Sequence, residues 1–255
     1  MKDHRHLGWL PDEPDPRDHP YEPPRALLAA LPARVDLRPR CPPVLDQGPL
    51  RSCTANAIAN AHLFDQLRQG VAQPVLPSRL FIYWNERKRL GLEHEDSGAR
   101  LRGGIKVLAG KGACPEPLWP YDPARVTDRP DEHCFEVARR YQALKYRRLP
   151  HRRVDALRAC LAEGFPFVFG FSLFAEFHSP AVAQSGVVPM PADPAVVGGH
   201  AVMAVGYDDD ARTFLVMNSQ GAHWGQAGCF TLPWDYITHP DWAHDFWTLR
   251  RVEDG

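Results

Sequence analysis

What this sequence has little of narrows its reading first. The opening stretch, MKDHRHLGWLPDEPDPRD, contains no apolar core, and no run of eighteen apolar residues occurs anywhere in the 255 residues. The expectation is therefore a chain with neither a secretory leader nor a membrane span, working in the cytoplasm. Cysteine is sparse: Cys41, Cys53, Cys114, Cys134, Cys160 and Cys229 include no CxxC pair, which argues against a disulfide-built scaffold, a zinc ribbon and a thioredoxin-type motif. Cys114 and Cys134 flank a loop long enough for a disulfide but are expected to stay reduced. Charge of either sign is not in excess either, with a net charge of -1 and only five lysines among 30 basic residues. No concentrated positive surface of the kind that binds nucleic acid is expected. His178, His223, His239 and His244 are scattered, with no HExxH string, so no metal is expected.

Proline, by contrast, is concentrated. Residues 1–33 hold seven of the 26 prolines among charged residues, a composition that resists helix and sheet and reads as an extended arm. Residues 34–255 then read as one α+β domain. Helices are expected over SCTANAIANAHLFDQLRQ, where Ala57, Ala61, Phe64 and Leu67 recur at helical spacing after Ser52. Others are expected in SRLFIYWNERKRLG after Ser78, in LRGGIKVLAGKG with Gly110 and Gly112 as a stop, and in RVDALRACLAEG. The short Val- and Phe-rich runs FPFVFGFSLF, GHAVMAVGYDDD, TFLVMNS and GCFTLPW are expected to be strands, mostly antiparallel. Helices early, mainly 50–125, and strands late, mainly 150–250 with the start of the domain, imply a helical lobe and a β lobe. They meet near residues 121–155 with a cleft between them. The basic run RRLPHRR, 147–153, reads as a solvated turn.

One cysteine stands in an informative setting. Cys53 falls at the start of a predicted helix, where unsatisfied N–H groups and the helix dipole favour a thiolate. In DQGPLRSCTANA a glutamine, Gln47, lies six residues earlier and a glycine follows it. The Gln47 side chain and the Cys53 backbone N–H could then converge where a tetrahedral oxyanion forms.

This arrangement resembles the papain-like cysteine peptidases. Later, GGHAVMAVGYDDD is similar to that family's histidine strand and FLVMNSQGAHWGQAGCF to its asparagine motif, in the family's order of Cys, His and Asn. The resemblance runs from about Val35 to Phe230 and implies a two-lobe fold with Cys53 as nucleophile. His200 would be its acid/base partner, Asn218 the residue that orients the imidazole, and Gln47 an oxyanion donor. It implies, further, that Gly98 and Ala99 offer backbone groups to an extended peptide, that Leu101 and Ala201 line the pocket for the second residue upstream of the cut, and that Trp224 forms an aromatic wall on the leaving-group side. A peptide or protein substrate, no cofactor, no nucleic-acid or membrane partner and a monomer are what such a peptidase leads one to expect.

The chain departs from the family pattern at several points. Leu50 stands where many members have a disulfide cysteine, and the partner position near Asp96 is vacant. Thr54 follows the nucleophile in place of tryptophan. Gln220 replaces the tryptophan that shields the histidine–asparagine bond, so that bond is expected to be more open to water and activity to be reduced. No long helical propeptide fits in the proline-rich arm, which is expected to lie along or near the cleft instead. Two other readings are an acyltransferase or amidase using the same acyl-enzyme, and a peptide-binding protein with weakened catalysis.

Overall fold

The computed structural model describes residues 8–253. The domain begins with a short strand, β1 (Arg34–Asp36), and the helix that carries Cys53 is α2 (Cys53–Gln69); a four-residue helix, α1 (Arg25–Leu28), precedes both inside the arm, where the proline content predicts none. Helix α2 is buried nearly all round, polar side chains Asn56, Asn60, His62 and Gln66 included, and it stops at Gly70 with φ 73°. Leu67, expected on its buried face, is instead exposed. Helix α3 (Arg79–Lys88) is capped as its sequence predicts, the Ser78 hydroxyl accepting the Phe81 N–H at 3.1 Å. Helices α4 (Leu101–Gly110) and α5 (Glu132–Ala138) complete the helical part.

The second half is dominated by strands β2 (Ala143–Arg148), β3 (Phe167–Leu173), β4 (Gly198–Asp208), β5 (Thr213–Met217), β6 (Cys229–Pro233) and β7 (Ala243–Val252). With β1 paired to β4 they form a seven-stranded sheet in the order β2-β7-β3-β4-β5-β6, every pair antiparallel. Helices α6 (Val154–Ala162), α7 (Pro180–Ser185) and α8 (Trp234–Ile237) lie in the connections. The four runs read as strands become β3 to β6; β2 and β7 were not singled out. Arg147 and Arg148, expected in a solvated turn, belong to β2, where their extended backbone pairs with β7.

Helix α2 packs against β4 and β7 and is flanked by α3 and α4. Among the described residues no helix is long and apolar enough to cross a membrane.

The pairing of β3 with β7 is irregular. Val168 pairs with Trp247 and Gly170 with His244, so Asp245 and Phe246 together oppose the single Phe169. This is a bulge, with Asp245 at φ 60°, and a bulge re-aims a side chain that a regular strand would place elsewhere.

Candidate active site

Cys53 is the first residue of α2 and is fully buried. Ser52 precedes it without capping the helix: its hydroxyl pairs with that of Tyr121 at 2.5 Å and accepts from Asn56 Nδ2 at 3.1 Å. The first-turn N–H groups are thereby left without a side-chain cap at the thiol's end of the helix. Burial pushes the Cys53 thiol up to about 12, with the Glu86 carboxyl adding to the rise and the backbone amides of Ala201 and Thr54 opposing it. Glu86 itself is buried on α3, accepts the Thr54 hydroxyl at 2.8 Å and is pushed up to about 8 by the same loss of solvent.

His200 sits on β4 opposite Phe171, with its Nε2 2.8 Å from Asn218 Oδ1. That oxygen also accepts the Ser219 N–H at 2.9 Å, which fixes it as an acceptor and Nε2 as the nitrogen that carries the proton. Nδ1 is buried with no hydrogen-bond partner among the described residues. Ala201, whose backbone amide opposes the rise of the Cys53 thiol, is the next residue in the strand after His200. Burial holds His200 down to about 4, against the favourable bond to Asn218.

Water was expected to reach the His200–Asn218 bond because Gln220 replaces an indole; the structure overturns this. His200 and Asn218 are 0% and 1% exposed. The rings of Phe171 and Phe177 lie 5.8 and 6.0 Å from the imidazole, and Trp224 backs Phe177 at 5.5 Å. Trp224 packs against Phe177 and Phe230. Gln220 forms an isolated bridge with Asp46.

Gln47 is buried beside the asparagine segment. Its backbone N–H donates to Ser219 O at 2.8 Å, its Oε1 accepts the Ser219 hydroxyl at 2.6 Å, and its Nε2 donates to Leu50 O at 2.8 Å. An amide nitrogen has two hydrogens, so one donor remains for the site. The position vacated by the family's disulfide is bridged another way: the Asp96 carboxylate accepts the Arg51 N–H at 3.0 and 3.2 Å, and the Tyr83 hydroxyl as well. All six cysteines are free.

Gly98 and Ala99 are occupied by the chain's own arm. Ala99 N–H donates to Gly8 O at 2.8 Å, Leu10 N–H to Ala99 O at 2.9 Å, and Trp9 N–H to Gly199 O at 3.3 Å; Trp9 pairs with Ala99 in parallel. Leu101, at the head of α4, and Ala201 are fully buried. Three residues at this site were missed from sequence: Ser219, Asp245 and Trp9. A carboxylate in the otherwise apolar run AHDFWTL and a tryptophan in a charged, proline-rich arm were the available signals. Among the described residues no group of three or more His, Cys, Asp or Glu side chains is placed to hold a metal ion.

The family described as papain family cysteine protease matches residues 84–238, a span that takes in His200 and Asn218 and begins beyond Cys53. An uncharacterized peptidase C1-like protein of Acanthamoeba polyphaga mimivirus is 37% identical, over 98% of this chain and 88% of its own. The crystal structure of xylellain, a cysteine protease from Xylella fastidiosa, superposes with a TM-score of 0.89 at 42% identity over 96% of each chain. The procathepsin B of Trypanosoma congolense shares the fold at 19% identity, with a TM-score of 0.79 over 100% of this chain and 88% of that one. The chain therefore belongs to the papain family of cysteine proteases.

Proposed function

We propose that the protein is an endopeptidase working through a Cys53 thiolate and a His200 imidazolium, with Asn218 orienting the ring and Gln47 helping to hold the oxyanion. The observation that carries this reading is the state of His200: one nitrogen is fixed by Asn218 and the other is buried without a hydrogen-bond partner among the described residues, while Cys53 stands at an uncapped helix end. In the reaction the Cys53 proton moves to His200 Nδ1 and the sulfur attacks the peptide carbonyl carbon. The oxyanion is met by the Cys53 N–H and the free Gln47 Nε2 hydrogen. The C–N bond then breaks as His200 returns its proton to the amine, leaving a thioester. Water, its proton taken by His200, attacks the thioester, and the collapse releases the carboxylic acid and restores the thiol.

The arm acts as an inhibitor in this reading. Gly8, Trp9 and Leu10 hold the backbone groups of Ala99 and of Gly199, the residue before His200, so a peptide substrate and the arm compete for the same groups. Burial raises the Cys53 thiol and lowers the His200 imidazole, so it disfavours thiolate and imidazolium alike. Displacing the arm readmits solvent and allows the ion pair to form. Hydrolysis of a fluorogenic peptide by the full chain and by Cys53→Ala tests the chemistry: activity should disappear in the variant, and activity retained there would refute it.

A further inference from the structure

Glu86 is a buried carboxyl beside which the fold places no counter-ion among the described residues. It lies on α3 and is 1% exposed. Its Oε2 accepts the Thr54 hydroxyl at 2.8 Å, while Oε1 is buried with no hydrogen-bond partner among the described residues. The adjacent cation is engaged elsewhere: Arg87 gives its guanidinium to the carbonyls of Tyr83, Glu93, Glu95 and Val126. Helix α4 makes room for the carboxyl with a glycine, since a Cβ at Gly104 would lie 2.2 Å from Oε1. A carboxylate so enclosed costs far more than the neutral acid, and burial accordingly pushes Glu86 up to about 8.

Thr54 connects this carboxyl to the nucleophile. It directly follows Cys53 in α2, so its bond to Glu86 ties the first turn of that helix to α3. We propose that Glu86 is a positioning residue for Cys53: through Thr54 it fixes the nucleophile's end of α2, and as a neutral acid it withholds a negative charge that would oppose the thiolate. The inference rests on the proposed peptidase activity and adds to it a residue that sets the alkaline limit of the nucleophile. As pH rises Glu86 loses its proton to solvent, and the new charge disfavours the Cys53 thiolate, whose thiol it already raises. Asp12 of the arm also raises Glu86, and Arg87 lowers it. The charged side chains of the helices around it have their own partners. On α3, Arg79 pairs with Glu116 and Lys88 with Glu93. On α4, Arg102 pairs with Asp18 and Lys106 donates to the Tyr146 hydroxyl, and just after it Lys111 donates to Asn85. On α2, Asp65 pairs with Arg68 and His62 with Gln66.

The test compares the full chain with its Glu86→Gln, Glu86→Ala and Thr54→Val variants, by hydrolysis of a fluorogenic peptide and by the rate of iodoacetamide addition to Cys53. Between about pH 7 and about pH 9 the ratio of Glu86→Gln to wild-type labelling should grow at least about threefold, because only the wild type gains a charge. Glu86→Ala and Thr54→Val should each lose about tenfold in kcat with KM little changed. Glu86→Gln, which keeps the acceptor for Thr54, should recover most of that loss. A labelling ratio flat with pH, or a glutamine variant as impaired as the alanine one, overturns the proposal and leaves the peptidase reading standing. Should the wild type cleave no peptide while the labelling ratio still grows, the peptidase reading falls and Glu86 stands as the residue that tunes the thiol. Should the variants fail to fold, the wild type decides: carbon-13 NMR of the chain labelled at its glutamate carboxyls should show one carboxyl titrating at about 8. If every glutamate titrates in the ordinary carboxylate range, the proposal is overturned.

Discussion

Ser219 Oγ donates to Gln47 Oε1 at 2.6 Å, and both side chains are buried. That bond determines which end of the Gln47 amide is left to donate: with Oε1 held by Ser219, Nε2 is turned toward Leu50 O. Ser219→Ala removes this orientation without touching the donor. The expected result is a fall of about tenfold in kcat with KM little changed, smaller than the roughly 100-fold or greater loss for Gln47→Ala, because the oxyanion exists only in the transition state. Steady-state kinetics on one fluorogenic peptide separate the two parameters.

Thiol reactivity reports whether the arm controls the site. In the docked state burial pushes Cys53 up to about 12, so thiolate is scarce at neutral pH and alkylation of the intact chain should be slow, rising only toward the alkaline limit. The full chain carrying Trp9→Gly, Asp12→Ala and Asp18→Ala should label faster at neutral pH. Mass-spectrometric rates of iodoacetamide addition to Cys53 across pH give the comparison; identical profiles would remove the arm from the account of reactivity.

The clamp between Asp96 and Arg51 takes over the task of the disulfide that many relatives have beside the nucleophile. One carboxylate accepts the Arg51 N–H and the Tyr83 hydroxyl, which in turn accepts the Gly98 N–H at 3.0 Å. It therefore ties the loop before Cys53 to the segment the arm occupies. Asp96→Ala leaves these donors unpaired and should destabilise the fold by about 1–3 kcal/mol, read from urea unfolding, with a further loss of activity when the fold is intact. Reducing agent should leave wild-type stability unchanged, since all six cysteines are free.

Local sequence carried much of this site, and the reasons differ residue by residue. Cys53 and Gln47 were legible because they lie within one short string whose turn and helix start are encoded nearby, and His200 and Asn218 because each sits on or just after an apolar strand. The shielding of the His200–Asn218 bond was not legible: Phe171 and Phe177 come from β3 and the turn after it, and only the sheet order β3-β4 brings them to the imidazole. Likewise, Leu50 and Asp96 announced a missing disulfide, but not that a carboxylate would make the connection through backbone N–H groups. Trp9, Arg148 and Asp245 meet across separations of up to 236 residues. No periodicity or motif spacing reports a contact of that length, and the bulge that aims Asp245 has no signature beyond one acid in an apolar strand.

The arm's docking should depend on pH in a direction set by Asp12. Its carboxyl is held up to about 7, first by burial and then by the neighbouring Asp245, against the lowering effect of Arg102 and hydrogen bonds from Trp247 and the Arg102 backbone. Arg148, Asp18, Asp15, His244 and the buried Glu86 also lie around it. An undocked arm returns Asp12 to the ordinary carboxylate range, so docking takes up a proton between that range and about 7. The docked state binds more protons, and raising the pH through this window therefore weakens docking. Asp245, also raised by burial, acts in the same direction. Limited proteolysis of the arm should accordingly be faster at about pH 8 than at about pH 5.5, after correction for the protease's own profile on an unstructured arm peptide. Asp12→Asn should flatten this dependence, because an amide keeps the acceptor and removes the titration. Faster arm cleavage on acidification, or a variant as pH-sensitive as the wild type, would show that other groups govern release.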